Sequence, residues 1–388
     1  MDINTKLFGS DLFGEPLTPP KAGPLAERFE FPPFSVLNAR EGDWQNRKRA
    51  WIGLGIQSEL GRGGDMLGNG GGNTSKERYA QSYASGTPGT LGKAYNKAAP
   101  GGGALPAANY ANRERGSGSG SGSGSAIPGT AATSVSSRVA PGGGGGGCWL
   151  GGPKTESSDA FGNNTPNEAN GTSIFDPVLT ELCYKWFCPT GGQIVDPFAG
   201  GSVRGLVAGL LGFKYHGIDL RAEQIEANRQ QLTIAPGAAV EWVCGDSLEK
   251  LPEAPEADFI FSCPPYGDLE RYSDDPLDLS TMEYHTFIAT YRRIIMQACK
   301  RLKNNRLACF VVGEFRNPKT GMYRGFVPDT IRAFQEQGLE LYNEAVLVTA
   351  VGSLPIRVSG QFESGRKLGK THQNVLVFAK GDPRKAFK

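Results

Sequence analysis

The chain has 388 residues and a formal net charge of +2, from 41 basic and 39 acidic residues. This near balance excludes a polybasic, histone-like protein, so nucleic-acid binding would need a local basic surface. The sequence has no apolar stretch of roughly 18 residues or more, which predicts that no transmembrane helix is present. Residues 1–16 have no signal-peptide pattern, so we expect a cytoplasmic protein.

Seven cysteines are spread along the chain, and none of them forms a CxxC motif. Cys183 and Cys188 are a close pair, but His216, His285 and His372 lack the paired spacing of further zinc ligands. We therefore expect no metal site, and we interpret the cysteines as buried, reduced thiols.

Residues 1–60 are predicted to be partly ordered and to pack on the main domain, because so short a segment buries little apolar surface alone. A helix is predicted from Asp43, a residue type suited to an N-cap. Its basic run, RKR at 47–49, is interpreted as a solvated helix face, with phosphate contact as the alternative. The residues expected to form the apolar stripe of this helix are Trp44, Trp51 and Ile52.

Glycine is concentrated in one segment: 27 of the 55 glycines lie between residues 61 and 152. The runs RGSGSGSGSGS and PGGGGGGC belong to this segment. Such a composition buries too little apolar surface to offset the entropy of ordering the chain. Residues 61–170 are therefore predicted to be a disordered linker, and residues 171–388 the main folded domain.

From residue 171 onward, short apolar strands alternate with helices. The strands are predicted at QIVDPF, KYHGIDL, AVEWVCGD, ADFIFS and RLACFVVGEF. This alternation predicts an α/β fold with a doubly wound, mostly parallel sheet. LELYNEAVLVTA and QNVLVFAK then follow one another, and we predict no helix between them. These last two strands are expected to form an antiparallel terminal hairpin.

Acidic residues follow three of the predicted strands, at Asp196, Asp219 and Asp246. Each alone would be interpreted as a helix cap or turn residue, but ligands bind in such sheets outside the carboxyl ends of the strands. Gly200 and Gly201 stand in the turn after the first of these strands, where bare backbone can approach a ligand. An acid placed like Asp219 can accept both hydroxyls of a ribose. Together the pattern predicts a nucleotide-like cofactor at this edge.

Four segments occur in the order VDPFAGGS, GIDL, GDS and SCPPYGD. On these segments, residues 172–388 resemble the amino-group DNA methyltransferases, which modify N6 of adenine or N4 of cytosine. KTHQNVLVFAK is similar to the last strand of these enzymes, and the layout with FPPFSVLNAREGDWQNRKRAW resembles phage-encoded members. The resemblance implies a Rossmann-like, S-adenosylmethionine-dependent methyltransferase that acts on double-stranded DNA in a host or bacterial cytoplasm.

By position, the resemblance implies that Gly200 and Gly201 hold the methionine moiety of S-adenosylmethionine. It implies that Asp219 binds the ribose hydroxyls, that Asp246 lies by the adenine, and that Phe175 packs beside the methionine part. The implied cofactor-binding residues are Phe175, Asp196 (beneath the glycine loop), Phe198, Gly200, Gly201, Asp219 and Asp246.

The same resemblance implies that Pro264, Pro265 and Tyr266 form the catalytic loop. An exocyclic amine conjugated to a base is a poor nucleophile, and acceptors on its hydrogens keep electron density on nitrogen during attack. One acceptor would be the Pro264 carbonyl oxygen, in a loop that the prolines stiffen. Tyr266 would stack on the flipped base, because the amine is inaccessible within the duplex.

One catalytic position departs from the family. Asp, Asn or Ser usually precedes the Pro-Pro pair and supplies the second acceptor, whereas this chain has Cys263, and a thiol is a weak acceptor. Ser262 is the alternative acceptor. A covalent role for Cys263, as in cytosine C5 methylation, is disfavoured because proline follows this cysteine instead of preceding it.

No separate target-recognition domain is evident, and three segments are candidates for DNA contact: GDLERYSDDPLDLST, RNPKTGMYRG and GSLPIRVSGQFESGRKLGK. The last is rich in Gly and Ser, as a loop in a DNA groove would be, and it carries more basic than acidic residues. Its predicted phosphate-contacting residues are Arg357, Arg366, Lys367 and Lys370. A solvated loop is the alternative.

Two other functions stay open at the level of sequence. Methyltransferases that act on RNA bases or protein amides often carry Asn-Pro-Pro-Tyr or Asn-Pro-Pro-Phe in the same place. The chain is alternatively a DNA-binding remnant that binds the cofactor and catalyses weakly.

Overall fold

The computed structural model describes residues 2–18, 21, 23–40, 42–57, 175–267, 272–351 and 354–387, apart from the side chains of Ile356 and Arg357. All of these residues belong to one compact unit of the chain. The predicted linker, residues 61–170, lies outside the described residues, so that domain assignment stays a prediction.

An eight-stranded sheet forms the centre of this unit, in the order β1-β7-β8-β6-β5-β2-β3-β4. Strand β8 is antiparallel to both of its neighbours, and every other pair is parallel. This confirms the predicted α/β fold with a doubly wound, mostly parallel sheet and an antiparallel terminal pair. The strands are β1 Val36–Asn38, β2 Gln193–Asp196, β3 Lys214–Asp219, β4 Val240–Cys244, β5 Ala257–Ser262, β6 Leu302–Val312, β7 Glu340–Val348 and β8 His372–Lys380.

Helices flank the sheet and connect its strands. Their bounds are α1 Ile3–Phe8, α2 Pro24–Phe29, α3 Gly42–Gly53, α4 Pro177–Phe187, α5 Val203–Leu210, α6 Ala222–Gln230, α7 Ser247–Lys250, α8 Tyr284–Arg301, α9 Phe326–Gln335 and α10 Leu354–Gly365.

The two faces of the sheet bury separate apolar cores, as period-2 alternation along the strands requires. On β2, Ile194 belongs to the core that includes α3, α4 and α5, while Val195 belongs to the core that includes α8 and α9. Phe261 and Phe310 are fully buried on opposite faces in the same way. The parallel strands are therefore covered on both sides.

Helix α10 corrects the prediction that no helix lies between the last two strands. The segment was expected to be a loop because of its Gly and Ser content, yet Leu354–Gly365 is helical. Ser364 Oγ donates to the Gly360 carbonyl within the helix, at 2.7 Å. The helix ends where Arg366 adopts a left-handed conformation (φ 51°) and its backbone N–H donates to Phe362 O, at 2.8 Å. Intrinsic propensity is only a weak guide to structure, and this helix forms although Gly360 lies within it.

The N-terminal segment contributes an edge strand that sequence patterning did not reveal. Strand β1 has only three residues and pairs in parallel with Val346–Val348 of β7. So short a strand has no readable alternation. The strand attaches the segment to the sheet edge opposite β4.

Helix α3 also differs from prediction in its basic run. Arg47 is buried, not solvated, and its guanidinium forms two hydrogen bonds of 2.6 Å to the buried Glu181 carboxylate of α4. Trp51 Nε1 donates to the same carboxylate at 2.8 Å, and Glu30 Oε1 lies 2.8 Å from Arg47 Nη1. A charge buried so fully needs such partners. Of the predicted apolar stripe, Trp44 and Trp51 are buried and Ile52 is half-buried.

The six cysteines within the described ranges are free. Four of them are buried, Cys263 is half-buried and Cys244 is exposed. No helix of the described residues is long and apolar enough to cross a membrane.

Candidate active site

The candidate site lies at one edge of the sheet, where the parallel strands end. The carboxyl ends of β2 to β6 share this edge, and β8, which is antiparallel, begins there, since Asn374 pairs with Val312. The chain passes from β2 to β3 on one side and returns to β5 on the other side of β2. Such a switch point leaves a crevice between the two connections, which is where ligands bind in doubly wound sheets.

Asp196 organises the glycine loop from the buried end of β2. Its carboxylate accepts hydrogen bonds from Arg204 Nε at 2.6 Å, Tyr215 Oη at 2.8 Å, Ser262 Oγ at 2.6 Å and the Phe198 backbone N–H at 3.1 Å. The side chain is fully buried. All four contacts of this carboxylate are made to protein groups. Asp196 therefore influences the site by fixing the position of the glycine loop.

Arg204, which the sequence analysis did not single out, is the main partner of this loop. Its guanidinium donates to the carbonyl oxygens of Phe198 and Ala199, the latter at 2.9 Å, and lies 4.8 Å from the centre of the Phe175 ring. Burial by itself would lower the pKa of Arg204, but the adjacent Asp196 carboxylate outweighs it and raises that pKa above its ordinary value. The sequence feature that could have indicated this role is that Arg204 is the one charged residue in the run SVRGLVAGLLG.

Asp219 and the glycine loop are in direct contact. Asp219 Oδ2 accepts from the Gly200 backbone N–H at 2.9 Å, and its Oδ1 accepts from the Arg221 N–H at 3.0 Å. Asn228 Nδ2 donates to the Gly200 carbonyl oxygen at 2.7 Å. Gly200 has φ +52°, a conformation that favours glycine, and Gly201 beside it is half-buried. The half-buried Asp219 carboxylate thus lies at the loop on the crevice side of β3.

Asp246 lies at the end of the next strand and caps α7. Its Oδ1 accepts from the Leu248 N–H at 2.9 Å, which is the cap role that a lone aspartate would be expected to have. The neighbouring Ser247 Oγ donates to the Pro197 carbonyl oxygen at 2.6 Å. This hydrogen bond ties the turn after β4 to the turn after β2, so Asp219 and Asp246 lie at the same edge of the sheet as the buried Asp196.

The loop after β5 places Cys263 and Ser262 in different environments. Ser262 is fully buried and donates to Asp196, so it is engaged beneath the site and does not fit the role of alternative acceptor. Cys263 is half-buried, and its sulfur lies 3.8 Å from Tyr266 Oη. Gln373 Nε2, from β8, donates to the same hydroxyl at 2.9 Å. As the candidate for the second hydrogen-bond acceptor, Cys263 therefore fits the geometry better than Ser262.

Aromatic rings hold the Tyr266 side chain in place. Its ring is nearly parallel to that of Phe315, with centroids 6.5 Å apart, and meets the Phe326 ring edge-on at 6.0 Å. Pro264 is buried and Pro265 is half-buried, so the loop is seated on the sheet edge. Sequence reasoning found this loop but not Gln373 or Phe315, which come from distant parts of the chain.

The predicted DNA-contacting residues are distributed unevenly. The Arg357 side chain lies outside the described residues, and the Arg366 side chain is exposed with its guanidinium 5.2 Å from the Phe362 ring centre. Lys367 is exposed as well. Lys370 is half-buried near Tyr266, and burial lowers its pKa, partly opposed by Glu314. Lys370 therefore lies by the loop after β5, whereas the side chains of Arg366 and Lys367 are exposed.

Among the described residues, no group of three or more His, Cys, Asp or Glu side chains is placed to hold a metal ion.

No protein-family model matches the sequence, and no curated protein matches it significantly. Several solved structures are similar to part of this chain. TrmN from Thermus thermophilus is 14% identical, with 53% of this chain and 49% of TrmN covered and a TM-score of 0.37. A TehB-like SAM-dependent methyltransferase from Corynebacterium glutamicum is 18% identical, with 55% and 91% covered and a TM-score of 0.34. A candidate DNA modification methylase, also from Thermus thermophilus, is 17% identical, with 35% and 50% covered and a TM-score of 0.27.

The chain thus spans about half the length of TrmN. At these identities the similarity concerns the fold alone. The strand order and the antiparallel β8 of this chain establish the doubly wound, Rossmann-like architecture in their own right.

Proposed function

We propose that this protein transfers a methyl group from S-adenosylmethionine to the exocyclic amine of adenine (N6) or cytosine (N4) in double-stranded DNA. One observation carries the proposal. The loops Cys263–Tyr266 and Asp196–Gly201 lie at the ends of the adjacent strands β5 and β2, and the Ser262–Asp196 hydrogen bond of 2.6 Å joins these two strand ends. A methyl donor held by one loop would therefore lie next to a base held by the other.

The residues present fit such a cofactor. The bare backbone at Gly201 and the half-buried Asp219 carboxylate border the crevice, and the helix that follows the glycine loop presents its N-terminus there. The Phe175 ring, packed on Arg204, offers an apolar surface beside the same loop. When bound, S-adenosylmethionine would supply an electrophilic methyl group on a sulfonium centre.

The chain's own groups would activate the amine. The Pro264 carbonyl oxygen and the Cys263 sulfur would accept hydrogen bonds from the two amine hydrogens, which keeps electron density on the attacking nitrogen. The Tyr266 ring, fixed by Gln373 and Phe315, would stack on the extrahelical base. Because sulfur is a weaker acceptor than a carboxylate, activation would rely more on positioning than in a loop that carries aspartate.

A methyl-transfer assay with labelled S-adenosylmethionine tests the proposal on duplex DNA, RNA and protein in parallel, with Tyr266→Ala as the matched control. We expect label in duplex DNA only, and loss of that label in the control. Sequencing of modified bases in DNA from expressing cells would then identify the base and site. Label in RNA or protein alone, or cofactor binding without any transfer, would contradict the proposal.

The cofactor site has a separate test. Removing the Asp219 carboxylate by Asp219→Ala should weaken S-adenosylmethionine binding by about 2 kcal/mol, the scale of a lost charged hydrogen-bond partner. Isothermal titration calorimetry measures this directly. Glu223→Ala, at an exposed position near the start of α6, is the control and should leave the affinity unchanged. An unaltered affinity in Asp219→Ala would remove this residue from the site.

A further inference from the structure

Residues 315–324 form a short hairpin that follows β6 and precedes α9. Arg316 and Tyr323 pair as an antiparallel bridge, and the Arg324 N–H donates to the Phe315 carbonyl oxygen at 3.0 Å. Arg316 Nη1 donates to Gly321 O at 2.9 Å, and its guanidinium lies 3.9 Å from the centre of the Tyr323 ring. Contacts between its own residues therefore stabilise the hairpin.

The base of this hairpin packs on the catalytic loop. Phe315 is buried, and its ring lies nearly parallel to that of Tyr266. Gly267, directly after Tyr266, has φ +53°, and a Cβ added there would lie 3.0 Å from the Phe315 ring. Backbone and rings are thus in close contact, so the hairpin tip has a defined position relative to Tyr266.

The tip exposes apolar surface among cations. Met322 is 70% exposed and Tyr323 is 49% exposed. Residues 315–324 contain three basic residues and no acidic residue, and the segment 366–370, RKLGK, adds three more. The two segments adjoin, because a Cβ added at Gly321 would lie 2.7 Å from Lys367 Nζ. An apolar tip surrounded by positive charge suits the interior of a duplex flanked by phosphates.

From this arrangement we propose that the hairpin enters the DNA duplex beside the target base and that Met322 fills the space left when that base is flipped. This inference rests on the proposed function. Apolar wedges, methionine among them, are used between base steps by proteins that distort DNA. Methionine is unbranched and polarizable, so it adapts to whichever bases remain stacked on either side. The basic residues around it would contact the phosphates of the opened site.

Met322→Ala tests the wedge, with Met322→Leu as the conservative variant. Leu12→Ala is the matched control, because Leu12 is also exposed but lies in SDLFGE, outside the candidate site and its DNA-contacting segments. Single-turnover transfer is measured on the duplex site found by base sequencing and on the same site with the target base mispaired. We expect Met322→Ala to slow transfer about tenfold on the paired duplex and less than about twofold on the mispaired one, where flipping costs less.

We also expect Met322→Leu to restore most of the rate, Leu12→Ala to change neither rate, and cofactor affinity to stay the same in all variants. Equal rates for Met322→Ala and the wild type on the paired duplex would overturn the wedge while leaving the proposed function intact. Equal losses on both duplexes would also overturn it, since they would indicate an ordinary contact. A wild-type protein that transfers no methyl group to duplex DNA would instead remove the proposed function, and the wedge with it.

Discussion

At the scale of single residues, one buried carboxylate connects the two halves of the candidate site. Asp196 accepts from Arg204 in the half proposed to bind the cofactor and from Ser262 in the half proposed for catalysis. Arg204 in turn holds two loop carbonyls and faces Phe175. Buried groups of this kind are costly to disturb one at a time, because each removal leaves a polar partner without its hydrogen bonds.

Arg204→Met should therefore lower the free energy of unfolding by about 3–5 kcal/mol, the scale for removing one partner of a buried ion pair. Arg204→Lys keeps the charge but loses the forked geometry, so its loss should be smaller. Urea denaturation of the purified variants measures both. An unfolding free energy equal to that of the wild type in Arg204→Met would show that the Asp196 carboxylate does not need this partner.

A second residue-scale prediction concerns the catalytic loop. Cys263→Asp should keep or raise the rate of methyl transfer, since a carboxylate is the better acceptor, while Cys263→Ala should lower it modestly. Tyr266→Ala should be worse, because base–aromatic stacking is worth about 1–3 kcal/mol. Single-turnover kinetics and cofactor calorimetry separate these effects, and we expect the cofactor affinity to change little in all three variants.

Ser262→Ala serves as the control for that series. It should lower stability by removing the hydrogen bond to Asp196, without the selective loss of transfer seen in Tyr266→Ala. Abolished transfer in a folded Ser262→Ala protein, with Cys263→Ala fully active, would mean that Ser262 is the acceptor. A covalent adduct with a 5-fluorocytosine duplex would mean that the thiol is a nucleophile.

At the scale of elements, helix α3 is attached to α4 by a buried ion pair and two indoles. Arg47 and Trp51 bind Glu181, while Trp44 Nε1 and Lys48 Nζ lie 3.2 and 3.1 Å from Asp176 Oδ2. Asp176 caps α4 through its other oxygen and directly follows Phe175. The N-terminal segment thus supports the helix whose first turn borders the proposed cofactor site.

This attachment should depend on pH. Burial would raise the pKa of Glu181, but hydrogen bonding and charge from Arg47 outweigh it, and the folded-state pKa lies below the ordinary 4.5. A group with a depressed folded-state pKa contributes its stabilisation above the unfolded value and loses it as pH falls through the folded value. The stability difference between wild type and Glu181→Gln should therefore be constant above pH ~4.5 and shrink below it. Denaturant unfolding at a series of pH values measures it, and a pH-independent difference would contradict this origin.

At the scale of the whole molecule, the described N-terminal residues and the main domain belong to one compact unit, although the glycine-rich segment separates them in the sequence. Strand β1 pairs with β7, and α3 packs on α4. Noncovalent contacts thus join residues that are separated by more than a hundred positions.

Deleting residues 62–168 should consequently leave a folded protein that binds S-adenosylmethionine with wild-type affinity. Circular dichroism reports folding and calorimetry reports binding. A folded deletion variant that no longer binds the cofactor would show that the segment takes part in the cofactor site.

Much of the fold could be predicted from sequence because its information is local. The alternation of apolar strands and amphipathic helices is periodic along the chain and indicates a doubly wound sheet. Parallel strands bring their carboxyl ends to one edge, so Asp196, Asp219 and Asp246 could be placed at the same edge of the sheet without coordinates. The Pro-Pro-Tyr segment could be placed there for the same reason.

Only the tertiary structure decided which partner each side chain meets. The burial of Arg47 depends on Glu181, more than a hundred residues away, and the orientation of Ser262 depends on Asp196. The position of the 315–324 hairpin beside Tyr266 depends on the packing of Phe315. Local patterns determine which segments form strands and helices, whereas burial and charge pairing are set by contacts between segments that no sequence period relates.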